Sequence, residues 1–289
     1  MSTETTKKRS MAAEIWQRLL RNKMAMLGLF ILTLLVLAAI FADVIADYDT
    51  MVVAQNIPER LQGPSAAHWF GTDEFGRDIF ARLVHGSRVS LVVGLMSMTI
   101  SLLIGGSLGA FAGFYGGRVD NVIMRIMDIF LAVPSILLAI TIVAALGTNL
   151  VNVMLAIGIS GIPTFARVVR AAVMSVKDQE FVESSRAIGA GSITIIFREI
   201  LPNCMAPIIV QATLFVASAI LSTASLSFIG LGVQPPDPEW GAMLSSGRNF
   251  LRDAVHITLF PGLAIIITIL ALNLLGDGLR DALDPRLKQ

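Results

Sequence analysis

Three stretches of the chain combine residue types that could do chemistry. Ser160 lies in "GISG" (Gly158–Gly161), and His256 lies near the start of a separate apolar run. A serine beside a histidine base is the arrangement of a nucleophilic hydrolase, provided the two come within about 3 Å. Depth argues against the pair. Ser160 is roughly ten residues into its run, about 15 Å at 1.5 Å per residue, whereas His256 opens its own. Ser160 is therefore read as a small polar residue at a helix contact. The second stretch, "EFVESSRAIGAGS" (Glu180–Ser192), gathers carboxylates, an arginine, serines and glycines between long apolar runs. The third, "GTDEFGRD", holds Gly71, Thr72, Asp73, Gly76, Arg77 and Asp78. His68, His85 and His256 are scattered, so no metal ligand is assigned, and the single cysteine, Cys204, excludes an internal disulfide framework. No GxxxxGK[ST] loop occurs, so the chain has no phosphate cradle of its own.

The elements that must position these stretches are membrane helices. Of 289 residues, 55% are hydrophobic and only 15% charged, where a soluble globule carries about a quarter charged. Mean hydropathy is +0.74. A net charge of +1 gives no reason to expect a nucleic-acid partner. Met24–Ala42, Val89–Gly117, Ile129–Ala166, Ile200–Pro236 and Ala254–Gly276 contain no Asp, Glu, Lys or Arg. A bilayer core about 30 Å thick needs roughly 20 helical residues, so Ile129–Ala166 makes two spans with a turn at "LGTNLVN". The runs lack the alternation of barrel strands. The reading is an all-α membrane protein with six transmembrane helices at about 24–46, 89–115, 122–146, 150–171, 204–228 and 254–277. The first run is too long for a cleaved signal peptide and is read as an uncleaved span.

Positive charge orients the spans. With the N-terminus in the cytoplasm, the inner segments carry Lys7, Lys8, Arg9, Arg18, Arg21, Lys23, Arg118, Arg125, Arg167, Arg170, Lys177, Arg186, Arg198, Arg280, Arg286 and Lys288. The outer segments carry only Arg60, Arg77, Arg82, Arg88, Arg248 and Arg252. Residues 1–23 are then a cytoplasmic segment, 24–277 the transmembrane domain, and 278–289 a cytoplasmic tail. Within the domain, 47–88 and 231–253 lie outside and 172–202 lies inside. Span two places Ser97, Ser101, Gly105, Gly109, Gly113 and Gly117 at every fourth position, one face of a helix that a neighbouring backbone can approach closely. Pro134, Pro163, Pro207 and Pro261 fall inside spans three to six, as gating hinges or as static kinks. Arg125 and Asp128 have the spacing of a pair along one helix. No carboxylate falls at mid-membrane depth, which argues against a proton- or sodium-coupled secondary transporter.

The polar island reads as a short helix, a glycine break and a second helix, or alternatively as a solvated hairpin. Asp178 would cap the first helix, and Glu180 and Glu183 would favour its dipole. Phe181, Ser185 and Ile188 would share a face, and Gly189 and Gly191 would end it. Ile193, Ile196, Phe197 and Ile200 would form the apolar face of the second helix. "GTDEFGRD" reads as a turn before an interfacial helix capped by Thr72 or Asp73.

"ESSRAIG…ILP" resembles the EAA motif of ABC-importer permease subunits. Glu183, Gly189, Leu201 and Pro202 match it in spacing. Ser184 and Ser185 stand for its two alanines, and Glu199 for an isoleucine. "HWFGTDEFGRDIFARLVHGSRVSL", "LSFIGLGVQPPDPEWGAML" and "GDGLRDALDPRLK" are similar, in order, to the dipeptide/oligopeptide/nickel permease family, dipeptide-permease C type. The resemblance implies the type I ABC-importer permease architecture and a chain that is not itself an enzyme. Its implied partners are a second permease, two ATP-binding subunits, an extracytoplasmic substrate-binding protein and the lipid bilayer of a bacterial inner membrane. ATP and Mg would be held by the ATPase subunits, with no cofactor on this chain. The resemblance also implies that Phe181, Glu183, Ser184, Ser185, Arg186, Ile188, Gly189, Leu201 and Pro202 dock on the ATPase, with Phe181 and Ile188 filling a cleft and Glu183 and Arg186 at its rim. Gly71, Thr72, Asp73, Gly76, Arg77, Asp78, Asp237, Glu239 and Trp240 are either ordinary turn and interface residues or part of the dock for the binding protein. The solute implied is a dipeptide, an oligopeptide or glutathione, with nickel as the alternative.

Overall fold

The computed structural model describes residues 11–283. The charges expected to set the orientation at Lys7, Lys8, Arg9, Arg286 and Lys288 lie outside the described residues. In chain order the main helices are α1 (Met11–Arg21), α2 (Lys23–Ile40), α3 (Ile79–Tyr115), α4 (Gly117–Leu131), α5 (Ser135–Leu146), α6 (Leu150–Met174), α7 (Glu180–Ala187), α8 (Met205–Phe228), α9 (Trp240–Gly247) and α10 (His256–Leu283). Among the described residues there is no strand; the one isolated bridge pairs Thr72 with Asp78.

Helices α2, α3, α6, α8 and α10 are each long and apolar enough to cross a membrane, and α4 with α5, bent by 83° at their break, are apolar enough only as a pair and count as a sixth span where the two are taken as one. The expected continuous third helix is thus two. Pro134 has no N–H to continue the ladder of α4, and it biases Val133 away from helical backbone. The carbonyl of Pro134 instead accepts from Leu138 N and starts α5. Pro163 and Pro261 do lie inside helices. Pro207 does not kink α8: it sits in the first turn, where its missing N–H would have had no helical partner. Two helices outrun their expected spans. At 1.5 Å per residue α3 is about 55 Å long, far more than a bilayer core, and its first turns belong to a folded cap built from residues 47–88 and 231–253. Helix α10 continues to Leu283, into the stretch read as tail.

The bundle is held by a seam between α3 and α6, which run parallel. The Ser97 hydroxyl donates to Met154 O (3.1 Å) and the Ser101 hydroxyl to Gly158 O (2.6 Å), each pair 57 residues apart. The same register continues through glycine. A methyl group on Gly105 would collide with Ile162 O, on Gly109 with Ala166 O, and on Gly113 would sit 2.9 Å from Arg170 O. Lipid tails are as apolar as leucine, so helices in a bilayer associate through close packing and hydrogen bonds rather than hydrophobic exclusion. Gly117 lies beyond the seam, with nothing near its missing side chain. Elsewhere, Leu32 and Ala39 of α2, Leu91 of α3, Val216, Ala217 and Ile220 of α8, and Ala271 and Leu272 of α10 form one buried cluster.

Gly109→Ala should lower the stability of the detergent-solubilised protein by about 1–3 kcal/mol through overpacking. Gly63→Ala, with open space around it, should leave it unchanged. Thermal melts of the two variants check this.

Candidate functional site

The polar island folds as two helical pieces around a glycine turn. Helix α7 begins one residue later than its expected cap implies: Gln179, with extended backbone and no side-chain hydrogen bond, is the N-cap, and Asp178 lies outside. Glu180 and Glu183 occupy the first turn, where the helix dipole favours carboxylates. The Ser184 hydroxyl bonds back to Glu180 O at 2.8 Å. The helix stops at Ile188, and Gly189 follows at φ +83°, a left-handed conformation that glycine adopts without strain.

The face that this helix turns toward its own chain centres on Val182. Val182 is fully buried, in a cluster with Val169 and Val173 of α6, Val176 just after it, Ala110 and Phe114 of α3, and Ile195, Ile196 and Ile200. Phe181 packs at the edge of that cluster, and Leu201 does the same. Ile188 is 86% exposed. The Arg186 guanidinium lies over the Phe114 ring at 5.1 Å, a cation–π contact. The return stretch Ile195–Ile200 is a π-helix. Its wider turn brings Ile195 and Ile200 onto one buried side with Ile196, and leaves Ile193 and Phe197 exposed. A 3.6-residue period misassigned these two. Pro202 sits in the first turn of the short helix Leu201–Asn203. Val182 was missed because its burial depends on the π-helical return, which sequence periodicity does not reveal.

At the other end of the bundle, the second candidate set is a buried polar core. Asp73 receives N–H bonds from Phe75 and Arg77 and pairs with Arg77 Nε at 2.7 Å. Arg82 Nε lies 3.5 Å from the same carboxylate, and its Nη1 donates to Val52 O at 2.8 Å and Pro236 O at 3.4 Å. Asp73, Arg77, Asp78 and Arg82 are each only 5% exposed, and burial pushes the neighbouring Glu74 carboxyl up. Helix α3 is capped by Asp78, which accepts from Ala81 N at 2.8 Å, and not by Thr72 or Asp73, which lie in the preceding loop. Gly71 and Gly76 turn at φ +81° and +75° against Gln62 O and Asn56 O, where no side chain fits.

The Asp237 carboxylate accepts from the Tyr48 hydroxyl at 3.0 Å. Glu239 caps α9 with both oxygens, on Gly241 N and Ala242 N. Trp240 is buried against Gly86 and donates to Leu83 O at 2.9 Å; it is packed inside the cap rather than at a membrane interface. His68 bridges Asp78 (2.8 Å) and Glu59 (3.4 Å). The Asp78 contact, more than the Glu59 one, raises its pKa above the usual histidine value. Arg82 and His68 were not singled out from sequence, although Arg82 follows Asp78 at helical spacing.

The other suggested pairs do not form. The Ser160 hydroxyl donates to Ile157 O of its own helix, and His256 Nε2 lies 3.3 Å from Thr72 O in the cap. Asp128 pairs across helices with Arg167 at 2.7 Å, rather than along α4 with Arg125.

Comparison with known proteins fits this architecture. Residues 105–289 match the family "binding-protein-dependent transport system inner membrane component", and residues 10–64 match the N-terminal transmembrane domain of oligopeptide transport permease C. The dipeptide transport system permease protein DppC of Alkalihalophilus pseudofirmus is 52% identical over 275 residues, covering 95% of this chain and 90% of the relative. The di/tripeptide transport system permease protein DppC of Pseudomonas aeruginosa is 50% identical over 279 residues (95% and 92%). The glutathione transport system permease protein GsiD of Pectobacterium atrosepticum is 48% identical over 279 residues (95% and 91%). In fold, an inward-facing structure of the MetNI methionine ABC transporter superposes with a TM-score of 0.59 at 19% identity, over 70% of this chain and 97% of that one. The chain belongs to the binding-protein-dependent transport inner-membrane component family, dipeptide/oligopeptide permease C type. It is a permease subunit of an ABC importer.

Two outcomes follow for the cap. Arg77→Met leaves the Asp73 charge buried with one partner fewer and should destabilise the protein by about 3–5 kcal/mol in thermal melts. A histidine whose folded pKa is raised contributes stability that is full below its unfolded pKa and is lost as pH rises through the folded value. His68→Gln should therefore lower the melting temperature at pH 5.5 and change it little at pH 9. An equal loss at both pH values would show that the protonated ring is not what stabilises the cap.

Proposed function

We propose that this chain forms half of the translocation pathway of an ATP-driven importer for a peptide-like solute: a dipeptide, an oligopeptide or glutathione. A second, related permease supplies the other half. Two separate ATPase subunits bind ATP and Mg, and an extracytoplasmic binding protein delivers the solute. Both termini and α7 lie on the cytoplasmic side of a bacterial inner membrane, and the cap faces outward toward the binding protein. The solute class rests on the names of the relatives, which are peptide and glutathione permeases.

The observation that carries the coupling role is the tip of α7. An isoleucine that is 86% exposed stands beside a left-handed glycine, on a helix anchored from behind by Val182. Its own chain leaves this apolar side chain uncovered, which suits a cleft on a partner. Phe181 and Ile188 enter that cleft, with Glu183 at its rim. The buried cluster behind α7 joins it to both α3 and α6, so a displacement of the docked helix is felt by the seam. ATP binding shifts the permease only to the extent that the docked ATPase binds its two conformations differently.

Ile188→Asp should leave folding intact because the side chain is exposed. In proteoliposomes with the partner subunits it should reduce ATP-driven uptake by about tenfold or more, the effect of roughly 1.4 kcal/mol of lost coupling or greater. Gly189→Trp should abolish uptake while the binding protein still binds its ligand. Vanadate should stop uptake with the proton gradient intact. Normal uptake by both variants would remove α7 from the coupling path, and vanadate-resistant uptake would remove the ATP-driven reading.

A further inference from the structure

Helix α4 is built unlike the rest of the bundle. It is articulated at both ends. Gly116 caps its start at φ +62° and Gly117, its first residue, has φ +52°, and the Ala132–Pro134 break follows it with the 83° bend. Its apolar contact is confined to one patch: Met127 is its one buried residue among those described, packed with Ile162 and Ala166 of α6, and Ile123 and Met124 are partly buried beside it. Asp120, Ile123, Met124, Met127 and Asp128 recur at three- and four-residue spacing, so they form one stripe along the helix. Both carboxylates of that stripe meet arginines of α6. Asp120 and Arg170 form a two-pronged pair, Nε to Oδ1 at 2.5 Å and Nη2 to Oδ2 at 2.6 Å. Arg167 Nη2 lies 2.7 Å from Asp128 Oδ1. Forked pairs of this kind fix orientation as well as distance.

The same arginine helix leads to α7. The carbonyl of Arg170 lies against Gly113 in the α3 seam. Helix α6 ends at Met174 and reaches α7 through Ser175–Gln179. On the way, the Lys177 ammonium comes close to Gly116, the articulation before α4.

We propose that Asp120, Asp128, Arg167 and Arg170 are positioning residues that make α4 travel with α6, so that movement at α7 reaches the broken third span. Glycine at one end and the proline break at the other let α4 swing without unwinding its neighbours. The two ion pairs are its attachment. This rests on the coupling role of α7 and goes beyond it by naming the element that is moved and the side chains that hold it.

The test is uptake per ATP hydrolysed, measured in proteoliposomes of the complete importer. Asp120→Asn should lower that ratio about fivefold or more, the low end of typical coupling energies, while ATP hydrolysis continues. The exchanged pair, Asp120→Arg with Arg170→Asp, should restore it relative to either single change. A second arm does not depend on how the single variants fold. In a Cys204→Ser background, Asp128→Cys with Arg167→Cys should be impaired when reduced and recover when a short thiol cross-linker replaces the ion pair. An unchanged ratio in Asp120→Asn overturns the inference, as does a cross-link that arrests uptake or fails to restore it. Absence of ATP-driven uptake in the wild-type complex would instead overturn the functional reading on which the inference rests.

Discussion

The close parallel contact of α3 with α6 is the constraint from which the rest of the molecule follows. In a bilayer, two apolar helices gain nothing from hiding leucines from water, because the surrounding chains are equally apolar. They gain from approach close enough for dispersion contacts and for serine hydroxyls to reach backbone carbonyls across the interface. The four-residue repeat from Ser97 to Gly113 supplies both, and its partners repeat with the same period on α6. A larger side chain at any of the central glycines would force the helices apart along their whole length, since packed helices do not flex locally at sub-ångström cost.

That seam links two chemically different ends. At one end α3 extends into the cap, where carboxylates and arginines are buried beside each other and satisfied by backbone N–H groups and carbonyls. Such a cluster resists deformation, because separating any partner leaves a charge without compensation. At the other end α6 runs toward α7, whose anchor is apolar and whose tip is left open. One end is held in shape by buried charge, and the other leaves the Ile188 side chain uncovered. The ion pairs between α4 and α6 stand between these extremes: Arg167 and Asp128 are about half exposed, and Asp120 and Arg170 less so. They bind a helix whose apolar contact is confined to one patch.

Much of this architecture could be read from residue types. Long uncharged runs located the spans because a bilayer core sets a minimum helical length. The small-residue repeat of α3 pointed to a close contact because period four is one face of a helix. The glycine after Ile188 marked the end of α7 because few other residues take a positive φ. Helix starts were less legible. Asp178, Thr72 and Asp73 are all good caps by type, yet Gln179 and Asp78 hold those positions, since a cap is decided by which backbone N–H groups the tertiary structure leaves unpaired.

The sequence alone determined what depends on near neighbours along the chain: which segments are helical and apolar, where glycine and proline interrupt them, and that the long apolar runs carry no carboxylate. Only the tertiary structure decided what depends on distant residues meeting. It set the 57-residue register between α3 and α6. It exchanged Arg125 for Arg167 as the partner of Asp128. It buried Trp240 in the cap, turned Val182 inward and left Ile188 exposed. The physical reason is range. Helical periodicity and backbone preference act over one or two turns, whereas a salt bridge or a buried contact pairs atoms whose separation in sequence carries no signal until the chain has folded.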